Sequence, residues 1–487
     1  MVNFELSLLS TEIIMAVLGL GLFIIGLILP RGSRKGMFSL ALFATLGTLI
    51  YAIYDFFFSK NALFLQGMFI HDQFAGIFKI MFLVALLLVI LSSKAYVGQF
   101  AAHRGEFYPL LMLATLGMIL MAGAGDLITM YIGLEMMTIT FFILVAYHPN
   151  DPKSSEAGIK YLVLGASSSA ILLYGISLIY GLTGSTQIFS VAQALGSQLS
   201  PVTILATVMI LAGFGFKITL VPFHMWAPDI YEGAPSPVTA FLATASKAAG
   251  FAVIVRFFLL MLYNQGFAET GYVILLVLAA LTMIIGNLMA FPQKNIQRLM
   301  AYSGIAQAGY VIVGIIAVST PTIQALENGV KGVIFYLMIY IFANMGAFAV
   351  ITHVAQSQGS TEISAYSGLA KRSPLAAAVL TISFLSLAGI PPLAGFVGKF
   401  YLFSAVIDSG VVWIAVIGFV MSMISVYYYL SVVRVMYTGS SDGLPSVPVQ
   451  GAAKFGMVFS MIITIILGIY PTPLAQMALT AASSLVK

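Results

Sequence analysis

Residues 211–228 read LAGFGFKITLVPFHMWAP, and what this stretch demands of its surroundings decides the fold. Lys217 stands in an apolar run, followed five residues on by Pro222 and then by His224 and Trp226. At mid-depth in a bilayer a lysine needs a partner or water. A proline removes one backbone donor and frees the carbonyl four residues back, here that of Ile218. Such a break is tolerated only where protein or a wet cavity satisfies the freed groups. The stretch therefore reads as a broken helix lining a polar path.

The rest of the chain has the composition this reading requires. It has 487 residues, 61% of them hydrophobic, 8% charged, with a mean hydropathy of +1.05; soluble domains carry about 25% charged residues. At about 20 apolar residues per span, the sequence predicts an all-α polytopic membrane protein of about 14 transmembrane helices. They lie near 12–29, 37–58, 74–93, 109–124, 126–147, 158–181, 202–230, 236–262, 271–291, 297–319, 329–354, 374–406, 411–438 and 453–470. No linker separates domains, so 1–487 is expected to be one membrane domain. The basic residues are scattered singly in short loops, which is not a nucleic-acid signature. The absence of cysteine excludes iron–sulfur ligation and disulfides within the chain. Glu5 and Glu12 near the start leave no basic n-region for a cleavable signal peptide.

Alternate loops hold Arg31, Arg34, Lys35, Lys94, Arg104, Lys153, Lys294, Arg298, Lys371, Arg372, Arg434 and Lys454, which is 12 of the 21 basic residues. The opposite side holds Lys60, Lys331, Lys487 and Arg256, which is near a helix end. The positive-inside rule then places the first set in the cytoplasm and both termini outside; an even number of helices requires both termini on one side, and the two readings agree.

Five lysines remain, Lys79, Lys160, Lys217, Lys247 and Lys399, and Glu135 is the acid expected deep in a span. Buried acids and amines suit proton transfer because burial and a movable opposite charge pull their protonation in opposite directions. A fixed ion pair tying helices together is the plainer reading for any one of them. Lys79 is expected to snorkel to an interface. Lys247 lies among small residues and hydroxyls in TAFLATASKAAGF, a candidate link between the two halves. His224 reads equally as a relay or as a histidine bonded at the helix break. Trp226 and the tyrosines read as interfacial anchors.

A second break falls in LAGIPPLAGFVGKFYLF (387–403), where Pro391 and Pro392 free the carbonyls of Leu387 and Ala388 beside Lys399. Two broken spans, the seventh and the twelfth, five helices apart, run in opposite directions, the pattern of inverted repeats in transporters. The expected units are 1–108 (helices 1–3), 109–262 (first repeat, helices 4–8), 271–438 (second repeat, helices 9–13) and 453–487 (helix 14 and tail). Ser169 can be set against Asn344, and Lys160 against Phe335. There is no GxGxxG after a strand, no P-loop and no HExxH, so redox chemistry and ATP hydrolysis belong elsewhere.

FGFKITLVPFHMWAPDIYEGAPSPVTAFLATASKAAGF (214–251) and NIQRLMAYSGIAQAGY (295–310) resemble the proton-translocating, antiporter-like membrane subunits of respiratory complex I and of multisubunit cation/proton antiporters. The resemblance runs from about 70 to 440. GIPPLAGFVGKFYLF (389–403), with lysine at 399, resembles the N-type branch of the NADH-quinone oxidoreductase members; a sister branch is expected to carry glutamate there. A longer branch is expected to carry a C-terminal lateral helix, which the residues after 470 are not expected to form. The resemblance implies that Glu135 and Lys217 are the input pair of a half-channel, that Lys247 connects it towards Lys399, and that Lys160 and His224 are accessory. Phe335 stands where members carry a charge, so no role follows there. It also implies no cofactor in this chain, with NAD, FMN, iron–sulfur clusters and quinone in partner subunits. The implied partners are the other membrane subunits of complex I, including sister antiporter-like subunits, and the lipid bilayer, with no nucleic acid. The implied location is the bacterial cell inner (plasma) membrane. A cation/proton antiporter subunit without a redox partner and a structural scaffold remain the alternatives.

Overall fold

In an apolar slab backbone amides find no water, so a chain this apolar satisfies them within helices. The computed structural model describes residues 6–30, 34, 36–98, 105–148, 150–195, 200–262, 265–317, 323–441, 443–449 and 451–485, with the backbone alone for 258–262, 265–270 and 323. Glu5, Arg31, Lys35, Arg104 and Lys487, which enter the leader and orientation readings, lie outside the described residues.

The chain begins with α1 (Ser10–Ile28), α2 (Met37–Phe58) and α3 (Gln73–Gly98). A short hairpin of β1 (Ala62–Phe64) and β2 (Phe69–His71) joins the last two. The first repeat-like series is α4 (Phe107–Gly123), α5 (Leu127–Val145), α6 (Pro152–Thr183), the short α7 (Ile188–Leu195), α8 (Pro201–Lys217), α9 (Ala227–Gly233), α10 (Ser236–Phe241) and α11 (Lys247–Leu262). The second is α12 (Gln265–Ala290), α13 (Ile296–Ile316), α14 (Ile323–Gln358), the one-turn α15 (Leu369–Arg372), α16 (Pro374–Ala388), α17 (Ala394–Asp408) and α18 (Val412–Thr438). The chain closes with α19 (Gly451–Ile469) and α20 (Thr472–Ser484).

Eleven described helical stretches are long and apolar enough to cross a membrane; three shorter apolar helices, α4, α8 and α16, stand at the remaining expected positions. Two of the three are short because their spans are interrupted. The seventh span is α8 followed by α9, and the twelfth is α16 followed by α17. The same succession of helices thus occurs twice, and close approaches recur with it. A Cβ on Gly117 of α4 would lie 2.6 Å from the Gly133 carbonyl of α5, and one on Gly286 of α12 would lie 2.5 Å from the Ala306 nitrogen of α13. We propose the division into 1–108, 109–262, 271–438 and 453–487 on this succession.

Helix α3 is apolar on all sides and almost wholly buried, as such a helix must be. It packs against α2, α4, α14, α19 and α20, so it is part of the common core. Residues after 470, read as a tail, form α20. It is too short to span, and it lays Ala478, Ala481 and Ala482 onto the bundle, where Ser484 Oγ accepts the Phe74 N–H at 3.1 Å.

Candidate proton-transfer site

The first break is held open by specific bonds. Helix α8 ends at Lys217, Thr219 takes a left-handed conformation (φ 62°), and the Val221–Pro222 bond is cis. Trp226 Nε1–H donates to the Phe216 carbonyl at 2.8 Å, and the Val221 N–H donates to Thr282 Oγ1 of α12 at 3.1 Å. Trp226 is therefore a buried group, stacked 5.0 Å from Tyr161 and 5.1 Å from Phe216, and not the interfacial anchor expected of it. That carbonyl, at the end of α8, also accepts the Thr219 N–H at 3.2 Å, and the indole adds a second donor from inside an aromatic stack. Many tyrosines follow suit: Tyr161, Tyr231, Tyr310, Tyr336, Tyr366, Tyr428 and Tyr429 are fully buried.

The Lys217 side chain crosses to α5. Its buried Nζ donates to Thr138 Oγ1 at 2.5 Å and lies 5.6 and 5.7 Å from the Phe216 and Tyr161 rings. Glu135, half-buried, precedes Thr138 by three residues on the same helix face. It is not within ion-pair distance of Lys217. The acceptor in contact is thus the hydroxyl, with the carboxylate one turn away.

Lys247 follows a π-helical turn, Leu242–Ser246, that separates α10 from α11. Such widened turns are frequent at functional positions. Its Nζ donates to the Gly304 carbonyl of α13 at 2.8 Å. Gly304 leaves the room: a methyl there would come 2.9 Å from Lys247 Nζ and 3.1 Å from the Tyr340 hydroxyl oxygen.

At the second break the Pro391–Pro392 bond is cis, and Lys399 satisfies the carbonyls that these prolines release. Its Nζ donates to Leu387 O at 2.9 Å, to Ala388 O at 3.1 Å and to Ser422 Oγ of α18 at 2.8 Å. The Tyr310 ring lies 4.8 Å away. The Leu387 carbonyl also accepts Gln307 Nε2–H at 3.1 Å, and Gln307 Oε1 accepts the Tyr336 hydroxyl. Gln307 sits one turn beyond Gly304 on α13. One turn of α13 thereby joins the partner of Lys247 to the partner of Lys399.

The two breaks are alike in place and unlike in detail. Lys217 reaches out to a neighbouring helix, whereas Lys399 folds back on its own broken span. Sequence reasoning missed Thr138, Gly304, Gln307, Tyr336 and Ser422. An amide such as Gln307 inside an apolar helix was a usable signal, since intramembrane polar groups need partners.

The remaining expected residues are placed as follows. Lys160 is outside this row: it lies in a half-exposed cluster, 2.7 Å from Glu156 and 3.0 Å from Asp229. Arg298 completes that cluster at 2.7 Å from Asp229 and 3.1 Å from Glu232, and Lys153 pairs with Glu232 at 3.1 Å. His224 lies in the first break, half-buried. Lys79 does not snorkel. It is 1% exposed and pairs with Glu12 of α1 at 2.7 Å. Seven residues into α3, its ammonium meets the Glu12 carboxylate within the bundle instead of reaching out. Glu12 is thus a second deeply buried acid, 4% exposed, which its place at a span end concealed. Arg256, expected near a helix end, is buried and bonded to both Asp72 carboxylate oxygens at 3.0 Å.

The family described as NADH:quinone oxidoreductase/Mrp antiporter, TM, matches residues 124–425. The NADH-quinone oxidoreductase subunit N of Desulfitobacterium hafniense is 79% identical over 496 residues, with 100% of each chain covered. The chain belongs to the NADH-quinone oxidoreductase subunit N family. Subunit N of Heliobacterium modesticaldum is 54% identical across 98% of this chain and 99% of that one. A chain of respiratory complex I from Thermus thermophilus with bound aureothin is 31% identical, with a TM-score of 0.81 over 96% of this chain and 98% of that chain. A chain of the Mrp complex from Dietzia, 24% identical with a TM-score of 0.84 over 98% and 97% of the two chains, shares the fold. Subunit N family membership makes this chain a polytopic, antiporter-like membrane subunit of a complex I-type enzyme.

Proposed function

We propose that the chain moves protons across the bacterial inner (plasma) membrane through Glu135, Lys217, Lys247 and Lys399, with Lys160 and His224 accessory. Both termini lie outside the cytoplasm in this reading. The driving energy comes from NADH oxidation and quinone reduction in other subunits, which hold the NAD, FMN, iron–sulfur and quinone sites. Sister antiporter-like subunits and other membrane subunits of complex I are its neighbours.

One observation carries the relay. The three buried amines are held by neutral acceptors: the Thr138 hydroxyl for Lys217, the Gly304 carbonyl for Lys247, and two carbonyls with the Ser422 hydroxyl for Lys399. None has a carboxylate in contact among the described residues, so the charge state of each answers to charges that move. Glu135, one turn from the Lys217 contact, is placed to be the first of these. Gln307 and the Leu387 carbonyl then supply polar groups between the other two lysines.

Replacing Glu135 with Gln tests the relay. The expected outcome is an assembled complex that oxidises NADH with reduced proton pumping, measured as dye quenching in inverted vesicles. Full pumping in that variant would overturn the reading. Subunit N relatives support the redox-driven assembly over an antiporter without redox partner; co-purification with flavin and iron–sulfur subunits decides between the two.

A further inference from the structure

Away from the lysine row, a cavity of about 810 Å³ opens between the end of α18 and the 3-10 turn Ile363–Tyr366. Ser364, Ser367, Tyr427, Leu430, Ser431 and Arg434 line it. Arg434 is the one charged group among the described lining residues. No acidic side chain among the described residues pairs with it, in contrast to the cations of the Lys160–Asp229–Arg298–Glu232 cluster. Lys294 flanks the same place: its carbonyl accepts the Ile363 N–H at 2.8 Å, and Phe291, three residues before it, stacks on Tyr427 at 5.2 Å. Lys294 is exposed and likewise has no acidic partner among the described residues. Glu362, two residues before Ser364, lines a different cavity with His148 and Asp151.

The hydroxyls are sorted too. Ser367 and Ser431 donate to the carbonyls of Ser440 and Tyr428, at 2.8 and 2.7 Å. The guanidinium of Arg434 and the hydroxyls of Ser364 and Tyr427 remain as donors. From this cavity an exposed stripe runs back along α18 through Leu430, Tyr427, Met423, Val420, Phe419 and Val416, each at least 40% exposed. It is about 21 Å long at 1.5 Å per residue, more than the ~15 Å of one leaflet's hydrocarbon.

We propose that this groove binds an anionic phospholipid, its phosphate on Arg434 and Lys294 and its acyl chains along the α18 stripe. Two cations without an acidic partner beside one cavity favour an anion there, and basic pockets beside transmembrane helices hold anionic headgroups. A soluble phosphate would leave the apolar stripe unused. A neighbouring protein helix would have to bring an acid of its own.

The test uses the intact membrane complex and two photoactivatable lipids with identical chains, phosphatidylglycerol and phosphatidylcholine. Phosphatidylglycerol is expected to label the peptide spanning residues 416–438 in clear excess over phosphatidylcholine, with excess inorganic phosphate leaving the labelling unchanged. Arg434→Gln is expected to reduce that excess about fivefold, at about one kcal/mol per basic residue. Adding Lys294→Gln should reduce it further, and Lys454→Gln should not change it. Equal labelling by the two lipids, absence of label, or insensitivity to Arg434→Gln overturns the proposal. So does competition by phosphate, which marks a soluble-anion site, or transfer of the label to a neighbouring subunit, which marks a protein partner.

Discussion

Thr138→Val removes the one hydroxyl that holds Lys217 while keeping the shape of a fully buried side chain. Hydrogen bonds to charged groups contribute about 1.5–3 kcal/mol, so the preference of the ammonium for its resting place falls about 10- to 150-fold. The acid on that face is Glu135, three residues earlier on α5. Lys217 should therefore settle on the carboxylate and stay there, and a relay that depends on opening and closing this contact should slow. The assay is NADH-driven acidification of inverted vesicles, divided by NADH oxidation in the same preparation. The expected result is a lower ratio for Thr138→Val and a normal ratio for Thr138→Ser, which keeps the oxygen. If the valine variant assembles and pumps at the wild-type ratio, the Thr138 contact is not part of the relay.

Gly304→Ala tests the link at Lys247. The added methyl meets only the tip of a flexible lysine at 2.9 Å and the Tyr340 hydroxyl, and alanine is about 1 kcal/mol better than glycine in a helix. The fold should tolerate it while the 2.8 Å bond to the carbonyl lengthens; pumping should drop at unchanged thermal stability, and a loss of assembly would contradict this. Glu12→Gln strands the Lys79 ammonium in the core, which costs about 3–5 kcal/mol. The detergent-solubilised complex should melt earlier, with Glu12→Leu/Lys79→Met recovering most of the loss; an unchanged melting temperature for the single variant would show that the pair is dispensable.

Much of the fold was legible along the chain. Apolar runs separated by basic loops marked the spans, and prolines beside lysines marked the two interruptions, including the carbonyls that Lys399 now caps. Less of the site was. Lys217, Lys247 and Lys399 stood out as charges in apolar runs, but Lys79 and Lys160 stood out equally. The structure pairs the first with Glu12 in the core and places the second in a half-exposed cluster. Thr138, Gly304 and Ser422 gave no signal, because hydroxyls and glycines are common in membrane helices.

The sequence by itself determined that this chain spans a membrane many times, that two of its helices break, and that amines lie near the breaks. These follow from transfer free energies and from the missing N–H of proline, which are properties of single residues and their immediate neighbours. Only the tertiary structure decided which groups the amines touch. That depends on which faces of α5, α13 and α18 meet the breaks, and so on packing between residues as far apart as Thr138 and Lys217 or Gly304 and Lys247.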